Sequence, residues 1–359
     1  MSLMSGTYTY DSLAKKYDNF TTPVVKVKAG GSDVVSTLNL AVVEFKMTLS
    51  LDAASIVVVK FTDVYDIEQH SFSSDVKDAF APGTVVEVEI GYKSSTENLF
   101  KGFVAARGIE IGKMPLFVVT LMDARRLMML SGSRYVLHVA KNYSDVFREV
   151  MSRYSKLCSP QIDATQDELE IPVSQTTDDY RFVTRELIGR GKAEREFFIL
   201  GPTAYFREPQ SEKSAIMTME FGRELIALKT DESYFDVSVE VVGYDPAKQE
   251  ALSGKAEATG SDSQTKLIGE TPEYYMPDPS VDTSAKANSK AKSLADRMKR
   301  KMQTGTGMTI GLPVLVPGRF VEVENADGDL GDHTFYLKTV IHEISKDNYR
   351  TMFEIGGWS

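Results

Sequence analysis

The sequence predicts an α+β chain that is mainly β, with two similar β-domains and an α+β block between them. Three observations carry this. "APGTVVEVEI" at residues 81–90 returns as "VPGRFVEVEN" at 316–325. The stretches around both copies alternate apolar and polar residues, as strands with one wet face do. Between them, residues 126–230 switch to the i, i+3, i+4 spacing of amphipathic helices.

Each element follows from local chemistry. In the strand Val85 to Tyr92, Val86, Val88, Ile90 and Tyr92 point one way and Glu87 and Glu89 the other, and "APG" before it supplies a turn. "ENLFKGFVAARGIEI" and "PLFVVTLMDA" follow at the short spacing of a meander or barrel. In "NYSDVFREVMSRYSKL", Asn142 or Ser144 is placed to cap a helix whose stripe is Val146, Phe147, Val150, Met151 and Tyr154. In "DDYRFVTRELIGRGK", Asp178 is the cap, Tyr180, Val183 and Leu187 share a face, and Gly189 or Gly191 ends the helix. "EREFFILGPTAYFRE" gives two strands around a Gly201-Pro202 turn. Residues 246–282, poor in large apolar side chains and rich in Ala, Ser, Gly, Lys and Asp, are expected to be a long connector without a core. "AKANSKAKSLADRMKRKM" has helix-forming composition and stops at "TGTG".

Composition narrows the function. A chain of 359 residues is expected to divide into two or three domains, and 42% hydrophobic with 26% charged residues is ordinary for a globular protein. "MSLMSGTYTYDSLAKKYDNF" has no apolar leader core, and no apolar run is long enough to span a bilayer. The lone Cys158 has no partner for an internal disulfide. A net charge of −10 disfavours general nucleic-acid binding, since an acidic surface repels phosphate. The basic exception is the helix at 284–302, with Lys286, Lys290, Lys292, Arg297, Lys299, Arg300 and Lys301 against Asp296. It suits a solvated face or an acidic neighbour better than nucleic acid.

At a constant offset of 235, Pro82, Gly83, Val86, Glu87, Val88 and Glu89 meet Pro317, Gly318, Val321, Glu322, Val323 and Glu324. Continued without a gap, the offset matches Phe100 to Phe335, Ile109 to Ile344 and Val118 to Phe353. A β-domain used twice presents open strand edges, which need partners. Two such domains in each of three chains would place six similar units around one axis.

The residues also carry a resemblance. "DAFAPGTVVEVEIGYKSSTENLFKGFVAARGIEI" resembles the N-terminal module of phage baseplate hub proteins. The likeness continues through "YSDVFREVMSRY", "DDYRFVTRELIGRGKAEREFFILGPTAYFRE", "VVGYDPAKQEALSGKAEA" and the closing "PGRFVEVEN" and "FYLKTVIHEISKDNYRTMFEI". It covers most of the chain from about Thr37 and is similar to the late-control D proteins of contractile-tailed phages and the hub part of VgrG proteins of injection systems. The resemblance implies a homotrimeric baseplate hub with two tube-type β-barrel domains, an adaptor joining a sixfold tail tube to a threefold spike. The expected division is an N-terminal arm (1–36), a first tube-like domain (37–125), an α+β middle domain (126–230) and a second tube-like domain (231–359) that includes the connector and basic helix. The partners so implied are two further copies of the chain, a tail tube protein, a spike and other baseplate proteins. The place is a virion baseplate or phage-tail-like particle assembled in the bacterial cytoplasm. VgrG proteins continue into a further domain and a needle, whereas this chain ends at Trp358-Ser359, so the spike is expected to be a separate chain.

Catalytic, metal and cofactor readings find little support in the residues, and no catalytic, cofactor-binding or metal residue is assigned. His70, His138, His333 and His342 are scattered. "NADGDLGD" with Asn325, Asp327, Asp329 and Asp332 lacks the frame of an EF-hand and suits a hairpin turn. "GRGKAE" is no dinucleotide fingerprint. Pairs such as Glu87 with Glu89 or Asp178 with Asp179 say nothing of glycoside hydrolysis without geometry. The alternative function is a tail-associated carbohydrate or peptidoglycan hydrolase with its carboxylates in the middle block. For a hub, the acidic strand face of Glu87, Glu89, Glu322 and Glu324 either lines the channel or faces the surrounding baseplate.

Overall fold

The computed structural model describes residues 3–189, 191–259, 271–327, 333–346 and 348–358. Most of the "NADGDLGD" loop lies outside them. The chain is mainly β, and its strands assemble around one 13-stranded sheet.

Near the N-terminus, helix α1 (Tyr10–Lys16) starts at a capping box in which Thr9 and Ser12 exchange side-chain-to-backbone hydrogen bonds. Strands β1 (Pro23–Ala29), β2 (Ala41–Ser50), β3 (Ile56–Thr62), β4 (Val85–Tyr92), β5 (Ser95–Glu110) and β6 (Leu116–Met122) make a first set, in the spatial order β2-β3-β6-β5-β4-β1. The alternation expected of β4 is present: Val86, Val88 and Ile90 are fully buried.

The middle block has its own core. Helix α2 (Tyr143–Ser152) is capped by Asn142, whose Oδ1 accepts from the Asp145 amide at 2.9 Å, and buries Val146, Phe147, Val150 and Met151. The capping carboxylate of Asp178 accepts from the Arg181 amide. The one helical turn it starts continues as a π-helix over Phe182–Leu187. Strands β7 (Glu196–Leu200) and β8 (Thr203–Arg207) pair around Gly201-Pro202 as expected.

Strands β9 (Ala215–Glu220) and β10 (Leu225–Glu232) leave the middle block and join the large sheet. The expected connector at 246–282 is instead part of a small module, which also takes in the expected basic helix. Strands β11 (Asp236–Asp245), β12 (Glu250–Thr259) and β13 (Glu273–Pro277) form a three-stranded sheet, and helix α3 (Ser284–Met302) packs on it. Its core is Val239, Val241, Ala258, Val281, Ala287, Ala291, Leu294 and Ala295. Small side chains suffice because the backbones approach closely: a Cβ on Gly254 would stand 2.3 Å from the Ala287 carbonyl carbon. The basic helix is tied into this module. Lys290, nearly buried, reaches Asp278 at 2.5 Å, Lys286 reaches Asp282, and Arg297 donates to the Gly189 carbonyl.

Strands β14 (Gln303–Ile310), β15 (Phe320–Glu324), β16 (Thr334–Ser345) and β17 (Asn348–Trp358) complete a second set in the order β10-β14-β17-β16-β15-β9. Among the described residues neither set closes on itself as the expected β-barrels would. They join edge to edge where β2 pairs antiparallel with β16, from Ser50 opposite Thr339 to Glu44 opposite Ser345. One apolar core, running from Met4 to Ile355, serves both.

Candidate assembly interface

The two sets correspond strand for strand in order, and registers show how closely. Gly83 and Gly318 hold positive φ, 92° and 84°, in the Pro-Gly turns that precede β4 and β15, a conformation that favours glycine. From the same turns the Gly83 amide donates to the Val104 carbonyl at 2.9 Å and the Gly318 amide to the Leu337 carbonyl at 2.8 Å. Each pair of strands then carries a register shift at the same place: Val104 faces Leu121 and Ala106 faces Thr120, while Leu337 faces Ile355 and Thr339 faces Glu354.

Val104 therefore corresponds to Leu337, and the constant offset of 235 does not hold beyond the first strand. It becomes 233 on β5 and β16 and 234 on β6 and β17. The expected matches of Phe100 to Phe335, Ile109 to Ile344 and Val118 to Phe353 give way to Gly102 with Phe335, Ile111 with Ile344 and Val119 with Phe353. The β15–β16 connection is two residues shorter than the β4–β5 one, and the β16–β17 connection one residue longer than the β5–β6 one, as loops allow. One strand departs: β1 runs antiparallel to β4, whereas β9 runs parallel to β15.

The joint between β2 and β16 combines apolar burial with one ion pair. Leu49 faces Val340 and Phe45 faces Ile344, all buried, while Lys46 meets Glu343 at 2.6 Å on the exposed side. Continuing that side across the sheet gives Arg350 opposite Glu343, then Glu354, Thr306 and Lys229 along another row. Two open grooves of about 270 Å³ and about 220 Å³ lie on the strands, the first lined by Lys229, Asp231, Thr306, Lys338 and Glu354, the second by Lys28, Glu87 and Lys101.

Of the face expected to be acidic, the first copy's two glutamates are paired with lysines. Glu89 pairs with Lys28 and accepts from Thr96; burial pushes its carboxyl up, but these hydrogen bonds outweigh that and hold it below the usual carboxylate range. Glu87 meets Lys101 at 3.2 Å and Asn98 at 3.0 Å, and Glu322 accepts from Thr218 at 2.8 Å.

The remaining singled-out residues are not brought together. His342 is enclosed by Tyr349, Thr351 and the Leu315 carbonyl, and burial lowers its imidazole to about 3. His138 bonds Gln175 and stacks on Phe182, and His70 is exposed in a turn. Burial pushes the Cys158 thiol up to about 12, the state of an unreactive core thiol. Among the described residues no group of His, Cys, Asp or Glu is arranged to hold a metal ion. The middle-block carboxylates are engaged: Asp179, fully buried, accepts from Arg153, Tyr154 and Gln175. Glu196 lies against Arg207 and Tyr336; burial raises its carboxyl despite the guanidinium.

Sequence reasoning did not find that last network, nor Arg319. The Arg207 guanidinium also donates to the Gly318 carbonyl at 2.6 Å, so it fastens the middle block to the second Pro-Gly turn. Arg319 is fully buried and held by the carbonyls of Leu3, Gly6 and Ser214. The available hint was an arginine at the turn where the first copy has Thr84.

This arrangement of strand sets is a fold shared with phage tail and type VI secretion proteins. The tail protein from Neisseria meningitidis MC58 has a TM-score of 0.68 at 10% identity over 93% of this chain and 96% of its own. The 43 kDa tail protein of prophage MuSo2 from Shewanella oneidensis has 0.66 at 13% identity, over 92% and 97%. An E. coli component of the type VI secretion system, structurally similar to T4 bacteriophage tail proteins, has 0.60 at 12%, over 93% and 77%. At these identities the likeness is one of fold. The chain belongs to the family described as Alg8 N-terminal domain, whose model matches residues 19–346. No curated protein matches the sequence.

Proposed function

We propose that this chain is a structural baseplate hub of a contractile phage tail or related injection particle, of the kind formed by late-control D proteins and the hub part of VgrG. It acts as a homotrimer that joins a sixfold tail tube to a threefold spike. The observation that carries the reading is the edge-to-edge joint of two like-ordered strand sets within one chain. A module that joins its own duplicate sideways, twice per chain, supplies a sixfold-like ring from three copies. The fold likeness to tail proteins supports the same reading. The proposed division is an N-terminal arm, a first tube-like domain, a middle block and a second tube-like domain, with β9 and β10 counted in the second.

The function is then one of shape and symmetry matching, with no bond made or broken. The hydrolase alternative lacks a supporting observation, since Asp179 and Glu196 are enclosed by their own hydrogen-bond partners. Light scattering is expected to give a particle of three 39.8 kDa chains. A monomer persisting at high micromolar concentration would overturn the hub reading.

A further inference from the structure

Besides the outer edge of β9, where the Tyr8 amide donates to the Ile216 carbonyl, the joint between β2 and β16 leaves one matching edge of each strand set without a strand beside it among the described residues. On the first set it is the end of β5, which beyond Val104 is paired only to β6. On the second set it is the outer edge of β10, paired only to β14. By the registers, β5 corresponds to β16, and β10 to β2: Met47 faces Val57, which faces Leu121, as Thr230 faces Gly305, which faces Ile355. The free edges are thus the counterparts of the two edges already joined inside the chain.

We propose that β5 of one copy pairs antiparallel with β10 of the next, in the register that sets Glu110 opposite Lys229, as Glu343 stands opposite Lys46 within the chain. The inference rests on the hub reading and adds to it the two surfaces and their alignment.

Three features of the edges fit this occupant. Ile344, buried against Phe45 in the internal joint, is 8% exposed, but its counterpart Ile111 is 75% exposed, and Ile109 beside it is 54% exposed. The proposed register brings Ile111 opposite Leu228, the counterpart of Phe45, and Ile109 opposite Thr230. Charges match as well: Glu110 meets Lys229, and Arg107 meets Glu232 where the internal joint has Val340 opposite Leu49. Opposite charges facing each other across an antiparallel pair favour one register over its neighbours. In the isolated chain these groups have other contacts: Glu110 lies 3.4 Å from Lys60, Lys229 lies 2.7 Å from Asp231, and Arg107 donates to the Lys77 carbonyl. Because the two edges differ, the contact is head-to-tail and closes into a ring.

The test is a cysteine pair, Glu110→Cys with Lys229→Cys, in the full chain. Directly opposed strand positions put Cβ atoms about 4.5–5.5 Å apart, near enough to bridge once the strands adjust. Oxidation is expected to give covalent dimers and trimers on a non-reducing gel, and neither single variant nor Ile109→Cys with Lys229→Cys should do so comparably. In parallel, Arg107→Glu and Glu232→Arg should each weaken trimer formation about tenfold, and the double variant should restore it. A trimer by light scattering without the Glu110–Lys229 crosslink, or with no rescue by the charge swap, would overturn the register and leave the hub reading standing. A chain that stays monomeric overturns both.

Discussion

His342 shows at the scale of one residue how burial decides chemistry. Its imidazole is surrounded by Tyr349, Thr351 and the Leu315 carbonyl, and burial lowers its pKa to about 3 from an ordinary value of about 6.5. The unfolded chain therefore binds a proton that the folded chain refuses between those values. Stability from this group is full above about pH 6.5 and is lost as pH falls toward 3, at about 1.4 kcal/mol per unit. Urea unfolding at pH 7 and pH 5 should show a loss of about 2 kcal/mol in the native chain from this residue alone. That increment should be missing in His342→Gln; equal slopes in the two proteins would exclude the coupling. The spacing of the histidines carries no zinc-site pattern, but whether a given histidine is a core residue depends on which strands cover it. Nothing local to residue 342 states that.

At the scale of elements, legibility followed side-chain size. The β4 strand and helix α2 were readable because large apolar residues mark their buried faces, and the Asn142 and Asp178 caps lie where short polar side chains favour them. The stretch holding β12 and β13 was mistaken for a connector because the module's core is made mostly of Ala and Val. Its packing comes from close backbone approach, which composition does not display. Gly254→Leu should therefore disrupt the α3 contact: overpacking costs about 1–3 kcal/mol. Hydrogen exchange should quicken along β11, β12 and α3 while the large sheet stays protected. Unchanged protection in α3 would mean that the approach to Ala287 is not tight.

Across the whole molecule, the repeat was visible in the sequence as a Pro-Gly turn and one strand, but its true registration was not, because a two-residue change between strands is silent where identities are few. The N-terminal arm makes a connection that no motif announces. It touches both strand sets: Tyr17 and Lys16 reach Glu97 on β5, the Tyr8 amide donates to the Ile216 carbonyl on β9, and Arg319 at the second turn is held by the carbonyls of Leu3 and Gly6. Burial pushes the Arg319 guanidinium down; the Glu212 charge opposes this, and the hydrogen bonds that hold the cation come from backbone carbonyls. Removing residues 1–8 should leave that cation short of partners and cost about 3 kcal/mol or more, read as a lowered urea midpoint. Arg319→Met should cost less in the shortened chain than in the full one, because the group whose burial is uncompensated is then gone. Equal costs in both backgrounds would show that the arm and Arg319 act independently.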